Sequence, residues 1–276
     1  MITRKTKVNA FAFILAFAVS LVYFIPVYWM LISSLKSSGT IFKYPPDFFP
    51  KELMFSNYVK MATYIPFFNY FYNSLIVSFF STLGLVLSCP PVAYAFARLR
   101  WRSRNIMFFI MLSTMMLPYH VQMIPIYHLF KSFGWIGTFL PLIVPNYFGY
   151  ALYIFLLRQF MLGIPKELVE SAFIDGAGHF YIFAKIMLPL VRPAIFSVAL
   201  LGFLANWTDF LAPIIFLNRQ EIFTLTIGIT HYIGRNKREW AYLMAACTAY
   251  IIPVVILFFC AQRRFVEGIT FTGIKG

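Results

Sequence analysis

Acidic side chains are scarce in this 276-residue chain, and three of the nine lie in one segment, residues 158–193. These are Glu167, Glu170 and Asp175, set among basic residues. Carboxylates spaced in this way on a short helix can accept charge-assisted hydrogen bonds from a basic partner. The chemistry that this segment indicates is therefore recognition of another surface.

A second group of side chains lies within apolar stretches and could bind a polar ligand. The candidates are Asn206, Trp207, Asp209, Tyr119, His120 and Gln122. Amides hold hydroxyl-rich ligands by hydrogen bonds, and aromatic faces pack against C–H surfaces. For Asp209 the alternative role is packing or a gate contact. For Tyr119, His120 and Gln122 the alternatives to a cavity wall are snorkelling or interhelical hydrogen bonds. Asp209 is the only acid inside an apolar run, and such residues are functional candidates by default.

Catalytic and metal-binding arrangements are not indicated. Membrane-embedded hydrolases and transferases need paired acids, a Ser/His pair or an HExxH helix, and the apolar runs contain none of these. The histidines have no partner at metal-ligand spacing. The nearest match to a phosphate-binding loop, Gly268 and Gly273, is followed by Ile274 where the motif requires Lys. The sequence therefore predicts a chain without a catalytic, metal or nucleotide site of its own.

Composition indicates an integral membrane protein. The chain is 61% hydrophobic and only 12% charged, whereas soluble domains carry about 25% charged residues. A spanning helix needs roughly 20 apolar residues. The sequence predicts an all-α, polytopic fold with six spans. They lie at about residues 9–35, 69–97, 105–130, 135–157, 194–217 and 241–262.

The distribution of positive charge sets the expected orientation. The net charge of +14 would suit nucleic-acid binding, but four of the basic residues are packed between the second and third spans. These are Arg98, Arg100, Arg102 and Arg104. Short basic loops stay on the cytosolic side of a membrane. We therefore expect both termini in the cytosol, segment 158–193 on the same side, and no nucleic-acid partner.

The long cytosolic segment contains a short amphipathic helix. Pro165 suits a first helical position, Glu167 favours the positive end of the helix dipole, and Gly176 supplies a stop. Such a helix could lie on the lipid surface or fit a groove in a partner protein. Its acidic polar face favours the protein, because a lipid-surface helix would be rich in Lys and Arg.

At these residues the chain resembles the permeases of binding-protein-dependent ABC importers. The family's cytoplasmic motif is Glu-Ala-Ala, then Gly, then Ile-x-Leu-Pro. The matching stretches here are Glu170-Ser171-Ala172-Phe173-Ile174-Asp175-Gly176-Ala177 and Ile186-Met187-Leu188-Pro189. Ser171 replaces the first Ala, a small-for-small change. Similarity at Asn73-Ser74 and Ala93–Arg98 extends the resemblance over nearly the whole chain and narrows it to the second permease of the maltose-transporter type.

The resemblance implies a bacterial cytoplasmic-membrane importer for a sugar or oligosaccharide that works by alternating access. A second permease would complete the path, and an extracytoplasmic solute-binding protein would deliver the sugar. Two cytosolic ATPase subunits would hold ATP and Mg²⁺. The helix in segment 158–193 would be a coupling helix seated in an ATPase groove. Its implied coupling residues are Glu167, Glu170, Ser171, Ala172, Phe173, Asp175, Gly176 and Ala177.

Two alternatives remain open from the sequence. The coupling motif is shared across solutes, so the cargo could be a polyol, a glycerol phosphate or a polyamine. From another class, the chain could be a membrane-embedded enzyme, although it lacks a catalytic cluster.

Overall fold

The computed structural model describes the backbone of residues 2–234 and 239–270 and the side chains of residues 12–234 and 239–261. Gly273 and Ile274 of the phosphate-loop-like match lie outside these ranges. Within them the regular elements are helices, which confirms the all-α fold class. The α-helices are α1 Ile2–Ser34, α2 Ser56–Tyr64, α3 Phe67–Arg98, α4 Arg104–Ser113, α5 Tyr119–Ser132, α6 Leu140–Ile143, α7 Ala151–Gly163, α8 Glu167–Ile174, α9 His179–Tyr181, α10 Leu188–Leu190, α11 Arg192–Thr208, α12 Leu211–Phe216, α13 Leu225–Thr230 and α14 Trp240–Thr270.

Four segments of the described chain are long and apolar enough to cross a membrane. They are Ala12–Ser34, Phe67–Arg98, Leu140–Gly163 and Trp240–Ala261. Two bent helix pairs raise the number to six if each pair forms one span. The division of the chain into six membrane spans stays a prediction, and the described chain contains helices that could form them.

The third predicted span, residues 105–130, is not one straight helix. A 3-10 turn, Thr114–Met116, ends α4, and α5 begins at Tyr119 after Pro118, with a bend of 99° between the two parts. Proline lacks the N–H that would continue the helix and disfavours α geometry in the residue before it. Leu117 accordingly has ψ 114°, an extended value.

The fourth and fifth predicted spans also differ from the structure. Residues 135–157 contain α6 and a 3-10 helix, Val144–Phe148, and α7 continues beyond them to Gly163. Residues 194–217 are divided at Asp209, which has extended backbone geometry between α11 and α12. Both apolar runs are therefore interrupted helices.

The chain forms two compact units. The first comprises residues 1–68 with 228–252, and the second comprises residues 69–227 with 253–276. In the first unit, contacts of buried polar side chains hold the loop after α1 in place. Asn57 Nδ2 donates to the carbonyl oxygens of Ser34 and Lys36, both at 2.8 Å. The buried Lys36 Nζ lies 4.3 Å from the centroid of the Trp29 ring.

In the second unit, α3 packs closely against the segment that links α6 to α7. Ser81 Oγ donates to the Leu142 carbonyl and Ser88 Oγ to the Asn146 carbonyl, both at 3.0 Å. Gly84 lies between the two serines on α3 and is buried. Small residues allow helices to approach closely, and serine hydroxyls satisfy carbonyls that an interrupted helix leaves open. The stripe of small residues on α3 thus stabilises the irregular segment.

Candidate functional site

Local sequence sets the ends of α8. Lys166 occupies the N-cap, and the first turn carries Glu167 and Glu170, whose negative charge suits the positive end of the helix. At the other end Gly176 has φ +80°, a left-handed value that glycine adopts cheaply. Its amide donates to the Phe173 carbonyl at 3.0 Å. The predicted stop at Gly176 is present, whereas α8 begins at Glu167, two residues after Pro165, which the sequence predicts at the first helical position.

One face of α8 packs against its own bundle. Val169 and Ala172 are 7% and 8% exposed and belong to a hydrophobic core that includes Leu157 and Met161 of α7. Ala172 therefore anchors α8 to this chain and does not present its methyl group to a partner. The sequence grouped it with the contact residues because apolar spacing alone does not tell which surface a stripe packs against.

The opposite face of α8 projects from the chain. Glu167, Glu170 and Ser171 are exposed, and Ile174 is 87% exposed. Phe180, in α9, is 82% exposed. An exposed carboxylate pair flanked by two large apolar side chains is suited to docking against a protein surface. The sequence does not single out Ile174 and Phe180, because their exposure depends on how the loop folds back.

The chain beyond α9 contains a π-helical turn, Ile182–Met187, followed by α10. Ile182 and Met187 are five residues apart, and both are fully buried. That spacing equals the separation of the hydrogen-bonded residues i and i+5 in a π-helix. The turn holds the returning chain against the core and leaves α8 projecting beside it.

Three of the ligand candidates lie at the break between α4 and α5. Gln122 Nε2 donates to the Leu117 carbonyl at 2.9 Å and so bridges the break at Pro118. Tyr119 and His120 begin α5, and both are exposed. Tyr119 also lies within electrostatic range of Asp209. The structure therefore places Tyr119 within electrostatic range of Asp209, and it gives Gln122 a structural contact.

The other three candidates lie at the end of α11. Asn206 Nδ2 donates to the Gly202 carbonyl one turn earlier, at 2.7 Å. Trp207 is buried, with ring centroids of Phe71 and Phe203 at 5.5 and 5.7 Å, so that a sugar has no access to its face here. As ligand residues, all six remain predictions.

Asp209 acts as a helix cap. Its Oδ1 accepts hydrogen bonds from the amides of Leu211 and Ala212, at 3.0 and 3.3 Å, at the start of α12. Its backbone carbonyl accepts from Thr226 Oγ1 at 2.8 Å. A carboxylate at a helix start stabilises amides that have no helical partner. These contacts support the packing role for Asp209.

Among the described side chains, no three His, Cys, Asp or Glu residues are grouped so as to hold a metal ion. His179, the histidine nearest α8, lies against the Phe173 ring with a centroid distance of 4.8 Å, and its Nδ1 is 3.5 Å from the Tyr94 hydroxyl. The first contact joins α9 to α8, and the second joins α9 to α3.

Comparison with known proteins gives matches along most of the chain. Residues 80–270 match the family described as "Binding-protein-dependent transport system inner membrane component". The arabinooligosaccharides transport system permease protein AraQ of Bacillus subtilis is 34% identical, over 93% of this chain and 92% of its own. The melibiose/raffinose/stachyose import permease protein MelC of the same organism is 32% identical over the full length of both chains.

A solved structure shares the fold. It is a chain of a bacterial ABC transporter involved in the import of the acidic polysaccharide alginate. The TM-score is 0.78, with 23% identity, over 94% of this chain and 95% of that chain. At this level of identity the similarity is one of architecture.

Proposed function

Because the chain belongs to the inner-membrane components of binding-protein-dependent transport systems, we propose that it is a permease subunit of an ATP-driven importer for a sugar or oligosaccharide. The main support for a saccharide cargo is the similarity to MelC and AraQ over nearly the whole chain. Their names describe a melibiose/raffinose/stachyose import permease and an arabinooligosaccharides transport system permease. A coupling motif alone would fit any solute, whereas similarity over the whole chain includes the segments that line a path.

The projecting face of α8 is the proposed docking surface for an ATPase subunit. Glu170 would pair with a basic side chain of the ATPase, while Ile174 and Phe180 would enter apolar parts of the groove. Val169 and Ala172 would transmit the movement, because they join α8 to the core of the spanning helices. Closure of the ATPases would then move the bundle between inward-open and outward-open states.

Energy conversion is assigned to partners. Two ATPase subunits would hold ATP and Mg²⁺, and this chain would supply no catalytic group. A second permease would complete the path, and an extracytoplasmic solute-binding protein would load it. The charge pattern supports a cytosolic position for α8 and both termini, in the bacterial cytoplasmic membrane.

The proposed path residues lie at two helix breaks of the second unit, between α4 and α5 and between α11 and α12. Tyr119, His120, Asn206 and Asp209 offer the hydroxyl, imidazole, amide and carboxylate groups that hold sugar hydroxyls. Interrupted helices in a membrane are tolerated where they are buried in protein or line a cavity. Breaks beside these polar side chains therefore support a position along the path.

The test of cargo is the ATPase activity of the complete purified complex, reconstituted with its binding protein. The panel contains mono-, di- and trisaccharides, with a polyol, glycerol 3-phosphate and a polyamine as competing classes. We expect one class of saccharide to raise activity about tenfold, equivalent to ~1.4 kcal/mol of barrier lowering. Stimulation by one of the competing solutes alone would show that the cargo has been assigned wrongly.

A further inference from the structure

A strongly basic cavity lies beside α8, between the ends of α3 and α7. Its volume is about 610 Å³. Five cationic side chains line it, namely Arg98, Arg100, Arg104, Arg158 and Lys166. Glu170 also lines the cavity and offsets only part of this charge.

The arginines are held in place by neutral groups. Arg98 Nη2 donates to the carbonyl oxygens of Met161 and Ile164, at 2.5 and 2.6 Å, at the end of α7. Arg158 Nε donates to the Phe96 carbonyl at 3.3 Å, and its guanidinium lies 4.1 Å from the centroid of the Phe108 ring. These contacts fix the orientation of the guanidinium groups without neutralising their charge.

Within the described part of the chain, the positive charge in the cavity is therefore only partly compensated. No carboxylate in the described part of the chain forms an ion pair with any of the five cations. Arg98 Nε is buried and has no acceptor, and Arg104 and Arg158 are close enough to repel each other. Fixed, unneutralised guanidinium groups around a cavity bind phosphate well, because their planar geometry matches its oxygens.

The location of the cavity favours a lipid as the source of the phosphate. Arg98 is the last residue of a candidate membrane span, and α7 ends at Gly163, so that the cavity lies at the depth of the headgroups. Ala97 and the exposed Leu162 form an apolar part of its wall. Basic pockets between spanning helices on the cytosolic side bind anionic headgroups.

We propose that this cavity binds the headgroup phosphate of an anionic phospholipid in the leaflet beside α8. The lipid would neutralise the guanidinium groups and stabilise the contact between the ends of α3 and α7, which support the coupling helix. The assignment to the cytosolic leaflet rests on the proposed function, whereas binding of the lipid itself does not depend on the identity of the cargo.

The test measures bound lipid by native mass spectrometry of the complete complex, taken from vesicles of phosphatidylcholine with or without phosphatidylglycerol. Arg100→Gln removes a cation that lines the cavity, and Arg100→Gln with Lys166→Gln removes two. Arg102→Gln is the matched control, because Arg102 is an exposed residue of the same loop that does not line the cavity. No sugar or ATP is present, so that the result is independent of transport.

We expect the wild type and Arg102→Gln to retain phosphatidylglycerol equally. The affinity should fall about fivefold with each cavity cation removed, which corresponds to ~1 kcal/mol per basic contact. Equal retention in all variants would overturn the proposal. Loss of ATPase subunits with unchanged lipid would assign the cavity to acidic side chains of the partner. If inorganic phosphate stabilises the wild-type complex but not Arg100→Gln, and the bound lipid is unchanged, the cavity would be assigned to free phosphate.

Discussion

Replacing Glu170 by Lys is expected to lower uptake of the cargo by more than about tenfold, while the permease still inserts in the membrane. Glu170 is exposed on the projecting face of α8. Its carboxylate forms no ion pair within the described part of the chain. The substitution places a sixth cation beside the basic cavity and opposes the basic ATPase residue that we propose as its partner. Breaking such an interface pair costs about 2–5 kcal/mol.

Uptake into proteoliposomes and ATPase activity, measured on the same preparation, check this result. ATP hydrolysis that continues without uptake, or release of the ATPase subunits, agrees with a coupling role. Glu52→Lys is the control, because it makes the same change of charge at an exposed residue far from α8 in the sequence. Normal uptake by Glu170→Lys would exclude the coupling role of this residue.

Replacing Gly84 by Val is expected to destabilise the permease by about 1–3 kcal/mol, the usual cost of overpacking a close contact. A Cβ at this position would lie 2.6 Å from Cδ2 of Tyr147 and 3.1 Å from the carbonyl carbon of Asn146. The backbone there is held by Ser88, whose hydroxyl donates to the Asn146 carbonyl. The irregular segment before α7 would therefore have to move away from α3.

Thermal unfolding of the purified complex measures the effect, and Gly39→Val provides the comparison. A Cβ at Gly39 would meet no atom within 4 Å, and its φ is not in the left-handed region. We expect a lower unfolding midpoint for Gly84→Val and little change for Gly39→Val. Equal midpoints for the two variants would show that close packing of α3 does not stabilise the fold.

Prolines show how far the helices could be predicted from the sequence. Apolar runs located α1, α3 and α14 because such runs need no tertiary information. Prolines gave an ambiguous signal, however, since α3 continues through Pro90 and Pro91, whereas the chain bends by 99° at Pro118. A helix can absorb a missing donor where neighbouring groups satisfy the free carbonyl. Which proline breaks its helix therefore depends on packing that the sequence does not display.

The coupling segment shows the same division between local and tertiary information. Gly176 ends α8 through a local backbone preference that the sequence predicts, and the start at Glu167 lies two residues after the predicted Pro165. The inward orientation of Ala172 and the outward orientation of Ile174 depend on the core against which the helix packs. The π-helical turn also changes which residues face the core, because Ile182 and Met187 are both buried although they are five residues apart.

The candidate path was the least predictable part. Trp207 and Asn206 were chosen because their side chains suit sugar binding, yet Trp207 is packed between rings and Asn206 bonds to its own helix. Side-chain chemistry shows what a residue can bind, and the surrounding helices decide what it contacts. The proximity of Tyr119 and Asp209, which are 90 residues apart in the chain, arises only from the fold.

The proposed transport mechanism requires that α8 docks against a separate ATPase on the cytosolic side of the membrane. Cysteine cross-linking from Ile174→Cys tests it directly, in a background where Cys89, Cys247 and Cys260 are replaced. Ile174 is a better position than the buried Ala172, and Phe48→Cys, exposed on the predicted outer loop, is the control. We predict a cross-link to the ATPase from residue 174 alone. Labelling of residue 174 by a membrane-impermeant reagent applied outside intact cells, with no cross-link, would contradict the claim.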